Sequence, residues 1–319
     1  MKKRKVLVCG ASGFIGRNIF EALSSRKDLE VYGTYSTKNN LGNSRLTRVD
    51  LTLRKEVLRA TKDVDILIHA AAVTSGAKDI IERPYIHITD NEIMNALLLR
   101  ATVENNISQA IFFGCSIVYP PNVGVPLKET DLSLDRGLHE KYGAGWVKIA
   151  LEKFAEVYAR FGKTRFTVIR HSNIYGPYDK FDLEHSHVFG ATITKVMNTP
   201  EGEAITVWGD GNEQRDLLFV SDLVNFVIRV IDKSGKPFEV YNAGLGESIS
   251  VAGLVQKIID ASGKQLSIQF DCSKPTIPAS FMIDIGKARN ELEWMPEVTL
   301  DLGIQKTLAW YRQNIFYVV

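Results

Sequence analysis

Val6-Leu7-Val8-Cys9-Gly10-Ala11-Ser12-Gly13-Phe14-Ile15-Gly16 decides the fold. Four apolar residues read as a short buried strand, glycines follow at positions 10, 13 and 16, and residues 17–23 continue with helical periodicity. Glycine inside an ordered element lowers stability, so three at this spacing need a physical reason. A backbone that turns sharply, admits a pyrophosphate without a Cβ in the way and then packs a helix closely on the strand needs all three. The helix N-terminus adds unpaired N–H groups and the positive end of its dipole, both of which favour an anion. The spacing is GxxGxxG, so the rest of the chain must carry part of the argument; a glycine-rich turn holding no ligand is the other reading.

At 319 residues there is room for one large domain or two ordinary ones, and 45% hydrophobic with 24% charged residues is a globular balance. Thirty-nine basic against 37 acidic side chains leave a net charge of +2, so no field for nucleic acid or an acidic partner is implied. The basic start Met1-Lys2-Lys3-Arg4-Lys5 has the layout of a secretory signal, but the apolar run after it stops at Gly10. No window approaches the roughly 18 apolar residues of a membrane span, and a cytoplasmic chain with no membrane partner is expected. Cys9, Cys115 and Cys272 have neither metal nor disulfide spacing, which fits a reducing compartment and no metal site.

Leu29–Tyr35 reads as a second strand. Dinucleotide folds place a carboxylate near its end for the adenosine ribose, or basic and small polar groups for a 2′-phosphate. This strand runs out into Tyr35-Ser36-Thr37-Lys38-Asn39-Asn40 with no acid, which favours NADP over NAD, with Ser36 and Lys38 as contacts. Arg48-Val49-Asp50-Leu51 reads as a short third strand and 53–61 as a helix. Asp65-Ile66-Leu67-Ile68-His69 reads as a strand covered on both faces. It ends in Ala70-Ala71-Ala72, small enough for a cofactor to lie close or for a helix to pack. Helices at 91–104 and 148–161 and strands at 109–115 and 165–170 complete the alternation of a doubly wound parallel sheet. Beyond Asn173 the alternation loosens. Helices are expected at 221–233, capped by Ser221 or Asp222, at 250–262 and at 300–314, with a strand at 238–242. The expected architecture is α/β: residues 1–172 plus about 214–245 form a Rossmann-type dinucleotide-binding domain, and 173–213 plus 246–319 a smaller α/β substrate lobe.

With Asn173-Ile174-Tyr175-Gly176-Pro177 the chain resembles the extended short-chain dehydrogenase/reductases, the family of NAD(P)-dependent nucleotide-sugar epimerases, dehydratases and reductases. The likeness covers nearly the whole chain. It runs through the glycine turn, Asp50-Leu51, His69-Ala70-Ala71-Ala72, Val118-Tyr119, residues 126–129, Trp208-Gly209-Asp210-Gly211, Arg215-Asp216, Asn242-Ala243-Gly244 and Trp294. Phe112-Phe113-Gly114-Cys115-Ser116-Ile117-Val118-Tyr119-Pro120, and the Asn173 stretch leading to Ser186-His187-Val188, are most similar to the GDP-L-fucose synthase branch. The resemblance implies 4-keto reduction of a nucleotide-diphosphate 4-keto-6-deoxysugar and a homodimer built through the helices at 91–104 and 148–161. It also implies a dinucleotide held by Gly10, Gly13, Phe14, Ile15, Gly16, Asp50, Leu51, Ala70, Ala71 and Lys148.

Hydride transfer to a ketone creates an alkoxide, so a donor must deliver a proton and a cation must lower that donor's pKa. In this family a Tyr donates, a Lys four residues later on the same helix lowers its pKa and holds the nicotinamide ribose, and a Ser or Thr orients the carbonyl. Lys148-Ile149-Ala150, followed by Lys153 and Tyr158, matches the lysine position. The tyrosine position is then Ala144, and the nearest tyrosine is Tyr142. At about 100° per residue, four residues return to within about 40° of one face whereas six land near ~240°. Either Gly143 and Gly145 allow a two-residue bulge or a late helix start that brings Tyr142 back, or the donor is lost. The serine position is Cys115, either a weak donor with Ser116 substituting for it or a small buried hydrophobe.

The epimerising branch carries a cysteine where this chain has Ile117 and a histidine where it has His187. Plain 4-keto reduction, or single-site acid–base chemistry at His187, is therefore expected. Asn173, His187, Lys195, Trp208 and Arg215 are the substrate-side candidates, Arg215 because a guanidinium pairs with phosphate. Lys195 and Arg215 each also read as a surface ion-pair partner. Residues 274–280 resemble a family segment but lack its basic residue after the second proline, so the base or sugar is expected to differ from GDP-fucose chemistry. Two other functions remain open: a 4-epimerase or dehydratase that retains its cofactor, with Ser116-Ile117 counting against the dehydratase, and a cofactor-binding module without catalysis.

Overall fold

Short apolar runs alternate with amphipathic stretches along the first 245 residues, and in the structure seven of these runs become the strands of one sheet. The structure, a computed structural model, describes residues 2–39, 41–74, 83–120, 125–134, 143–274 and 282–316. Asn40, Tyr142 and the segment 275–280, all named above, lie outside the described residues. The nucleotide half runs β1 (Arg4–Cys9), α1 (Phe14–Ser24), β2 (Leu29–Tyr35), β3 (Leu46–Arg48), α2 (Arg54–Ala60), β4 (Ile66–His69), α3 (Thr89–Glu104), β5 (Gln109–Phe113), α4 (Gly143–Phe161) and β6 (Arg165–His171). There follow β7 (Asn173–Tyr175), α5 (Val188–Asn198), β8 (Ala204–Trp208), β9 (Gln214–Arg215), β10 (Leu217–Phe219), α6 (Val220–Lys233) and β11 (Phe238–Ala243). The chain closes with β12 (Ile249–Ser250), α7 (Val251–Ser262), β13 (Ser267–Asp271), α8 (Gly286–Leu292) and α9 (Leu300–Tyr311).

Among the described residues the main sheet has the order β3-β2-β1-β4-β5-β6-β11, every pair parallel. The expected doubly wound parallel α/β sheet is therefore present. Parallel pairing puts every strand's carboxyl end on one edge, and the order reverses between β1 and β4, the switch point at which such sheets take up ligands. Side chains alternate across the sheet. Val6 and Val8 join Ile19, Phe20, Phe226 and Val227 in one core, while Leu7 and Cys9 join Leu67, Leu98, Phe112 and Leu151 in the other. A third core gathers Phe189, Ile193, Leu217, Leu254, Ile304 and Tyr311, and β13 pairs with β8 in a separate two-stranded sheet. Ile285, Leu292 and Trp294 pack back into the first core, the Trp294 ring 4.7 Å from Phe226.

Several boundaries differ from expectation for local reasons. β3 ends at Arg48, so Asp50 and Leu51 fall after the strand; the Asp50 carboxylate accepts the Thr52 N–H at 2.9 Å and its hydroxyl at 2.6 Å, a side-chain turn that stops the strand. β5 stops at Phe113, and Ser116–Val118 forms a 3-10 turn. Neither Ser221 nor Asp222 caps α6, which starts at Val220 after Phe219. Asp222 is buried and its carboxylate instead accepts the Val298 N–H at 3.0 Å, so a tertiary donor took the group the cap would have used. Ser250 does cap α7, accepting from Gly253 N–H at 3.1 Å. Among the described residues no helix is long and apolar enough to cross a membrane.

Candidate active site

The glycine turn shows why each glycine is there. Gly10 has φ +80°, and a Cβ on it would lie 2.7 Å from the Ala71 backbone, so β1 touches the end of β4 with nothing between. A Cβ on Gly16 would stand 2.1 Å from the Gly10 carbonyl oxygen, so α1 starts hard against the turn. Gly13 meets only that same oxygen, at 3.4 Å, which leaves its outer side open for a phosphate. No side chain caps α1, and its first N–H groups, on Phe14, Ile15 and Gly16, have no intrahelical acceptor. Thr34 pins the turn by accepting the Gly10 N–H on its hydroxyl (3.2 Å) and the Ala11 N–H on its carbonyl (2.8 Å). This cradle fits a dinucleotide pyrophosphate.

Gly16→Ala is expected to weaken NADPH binding by about tenfold or more, since the methyl overlaps backbone that cannot give way. Fluorescence titration measures it. Gly235→Ala, where an added Cβ meets nothing within 4 Å, should leave binding unchanged.

Ser36 and Lys38 are exposed just past the end of β2. Arg48 joins them from β3, its Nε donating to the Ser36 carbonyl at 3.0 Å, a cation that sequence spacing did not single out. The Asp50 carboxyl is held below its usual range by its bonds to Thr52. Leu51 is buried beside it, and Ala70 and Ala71 follow β4 under Gly10.

Across the same edge, Lys148 of α4 donates from Nζ to the Phe113 carbonyl at 2.7 Å. Burial pulls its pKa below the usual lysine range, with Cys115 opposing. Burial pushes the Cys115 thiol up, with Lys148 opposing, so ammonium and thiol lie within electrostatic reach of each other. Ser116 is only 4% exposed at the head of its 3-10 turn. Ala144 stands one turn before Lys148 on a helix that runs unbroken from Gly143, so no bulge separates Gly143 from Lys148. Tyr142 precedes that helix, outside the described residues.

His171, at the end of β6, was missed by sequence reasoning. Its ring meets Phe113 edge-on at 6.1 Å, and its Nδ1 lies 2.7 Å from the Ser172 carbonyl oxygen. Burial lowers its pKa to about 4, helped by the charges of Lys148 and His187. His187 heads α5, and burial, Lys180 and His87 lower its pKa. Asn173 donates from Nδ2 to the Asp216 carbonyl at 3.1 Å. The Asp216 carboxylate, fully buried and pushed up to about 6 by burial, accepts the Leu245, Gly246 and Ile283 N–H groups. Lys195 donates to the Thr206 carbonyl (2.7 Å) two residues before the 40% exposed Trp208, and Arg215 donates to the Gln214 carbonyl (3.0 Å).

Residues 6–244 match the NAD dependent epimerase/dehydratase family. The chain belongs to this family. GDP-L-colitose synthase of Yersinia pseudotuberculosis is 30% identical, over 96% of this chain and 97% of its own length. GDP-L-fucose synthase of Azorhizobium caulinodans is 27% identical, over 97% of each chain. A UDP-glucose 4-epimerase from Thermotoga maritima, solved with UDP-glucose, superposes with a TM-score of 0.87 at 24% identity, covering 98% of this chain and 99% of that one. As a member of the epimerase/dehydratase family the protein is an NAD(P)-dependent nucleotide-sugar enzyme.

Proposed function

We propose that this chain reduces the 4-keto group of a nucleoside-diphosphate 4-keto-6-deoxysugar, with NADPH preferred over NADH. The observation that carries the reading is the shared carboxyl edge: the Gly10–Gly16 cradle, the Lys148–Phe113 bond and the Cys115 thiol all lie on it. A bound reduced nicotinamide supplies the hydride. Lys148 stabilises the negative charge that develops on the sugar oxygen. Asn173, His187, Lys195 and Trp208, in a lobe of residues 173–213 and 246–319 set against the cofactor domain, serve the sugar nucleotide together with Arg215 just outside that lobe. The two relatives carry the names of GDP-sugar synthases, which supports a nucleoside-diphosphate sugar as substrate.

The absence of an acid after β2, with Ser36, Lys38 and Arg48 present, supports the NADP preference. Lys38→Glu is expected to weaken NADPH by about tenfold with little change for NADH, measured by fluorescence titration. A homodimer is supported by the outward stripe of α4, where Trp146, Phe154, Val157 and Phe161 are exposed, beside Ile93 and Val103 of α3. Sedimentation velocity tests it.

The reaction is tested by following NADPH or NADH absorbance with a panel of GDP-, dTDP- and UDP-4-keto-6-deoxyhexoses. Stoichiometric consumption supports the reductase. Sugar conversion without net consumption would make the protein an epimerase, and cofactor binding with neither outcome a module.

A further inference from the structure

The family's proton donor has no hydroxyl here at its helical position, since Ala144 stands a turn before Lys148 on an unbroken helix. A ketone accepting hydride still needs a proton, and His171 is placed to supply it. It closes β6 beside Phe113, the residue whose carbonyl holds the Lys148 ammonium. Its Nδ1 faces the Ser172 carbonyl at 2.7 Å. A carbonyl only accepts, so Nδ1 carries the hydrogen and the neutral ring has its lone pair on Nε2. Among the described residues Nε2 has no hydrogen-bond partner, and the residue is only partly buried at the carboxyl end of β6. One nitrogen pinned and the other free is the arrangement of an oriented acid–base group.

We propose that His171 exchanges the proton of the sugar C4 oxygen, an assignment that rests on the keto-reductase reading. In reduction, hydride from the reduced nicotinamide, left oxidised, forms the new C–H bond. The C=O π pair moves to oxygen, and oxygen takes the Nε2 proton of the imidazolium form, leaving the neutral ring, which takes up a proton from solvent before the next turnover. In the reverse direction neutral Nε2 accepts the hydroxyl proton.

The titratable groups acting on the ring are Lys148 from α4 and His187 at the head of α5, with the Cys115 thiol in reach of Lys148. They and burial hold the imidazole neutral down to about pH 4. Above that pH the imidazolium fraction falls tenfold per unit. Over about pH 6–9, kcat/KM for reduction therefore falls tenfold per unit while oxidation of the product alcohol stays flat. A phenol donor gives the opposite pair: flat reduction and rising oxidation.

Both directions are measured for wild type, His171→Gln and His171→Asn with the sugar panel above, NADPH fluorescence certifying that each variant is folded. Expected are a loss of at least about 10²-fold in kcat/KM, unchanged NADPH binding and disappearance of the pH slope. Turnover kept in His171→Gln, or flat reduction by wild type, overturns this assignment and leaves the reductase standing. Loss of turnover in Tyr142→Phe with His171→Gln still active also overturns it. No turnover by wild type across the panel overturns both.

A readout without nucleotide is the NMR titration of 13C-labelled histidines. The resonance missing from His171→Gln should titrate below pH 5 in wild type, and its pKa should rise in Lys148→Met. An ordinary value near ~6.5 in both proteins puts the ring outside the field of Lys148 and overturns the proposal.

Discussion

Lys148→Met should lower kcat for keto-sugar reduction by about 10²- to 10⁴-fold while the protein stays folded. Methionine keeps the length and apolar stem of lysine, so the packing of α4 against β5 survives and the charge alone is lost. The ammonium is the cation beside the Cys115 thiol, and the Phe113 carbonyl fixes its position at 2.7 Å. An alkoxide forming at that point gains most from a preset charge in a cleft where water is scarce. Stopped-flow NADPH oxidation reads the chemical step and circular dichroism the fold. A variant that kept wild-type kcat would remove Lys148 from the chemistry. Two accompanying shifts identify the charge as the cause: the Cys115 thiol should rise further and His171 should rise towards its ordinary value, because the same ammonium favours thiolate and opposes imidazolium.

Glu152→Ala should have the largest effect on stability, a loss of about 3–5 kcal/mol. Arg170 and Glu152 are 2% and 4% exposed, and the guanidinium donates to the carboxylate through Nε at 3.0 Å and Nη2 at 2.6 Å. The same guanidinium donates to the Tyr119 hydroxyl at 2.8 Å, which donates to Asn242 at 2.7 Å, so one buried network ties β5's extension, α4, β6 and β11 together. Removing the carboxylate leaves a buried cation with two unmet donors, which is why the change exceeds the net worth of the pair. Urea unfolding measures it, with a fall in Tm of roughly 10 °C. Replacing both residues by methionine should recover most of the loss, because it removes the desolvated charge with its partner. Arg170 precedes His171 on β6, so Glu152→Ala should also reduce turnover before it unfolds the chain.

Much of the proposed site was legible because its determinants are local. The strand, turn and helix of residues 6–16 need only their own glycines, and the structure gives each one a contact that a Cβ would break or a space that it would fill. Lys148 was legible from its matched spacing. The end of β4 at Ala70-Ala71 was legible because an apolar run meeting small residues is a local pattern. Other features failed because their partners are distant in the chain. Asp222 has the chemistry of a cap, yet its carboxylate binds Val298. Tyr119 and Asn242, each a recognisable motif residue, meet across 123 positions. Arg48 reaches Ser36 only because β3 pairs with β2. His171 reads along the chain as the polar end of an apolar strand, and nothing in that run signals a cleft.

The sequence by itself determined the doubly wound parallel sheet and the glycine turn ahead of α1, and pointed to Lys148 for the proposed site, because hydrophobic period, glycine placement and helix spacing act over a few residues. Tertiary structure alone decided which side chains surround that lysine. Parallel pairing of β5 with β6 sets Phe113 opposite Ile169 and so carries His171, two residues on, to the edge where Phe113 holds Lys148. Proton chemistry depends on what lies within a few ångströms, and that proximity comes from strand register rather than from distance along the chain.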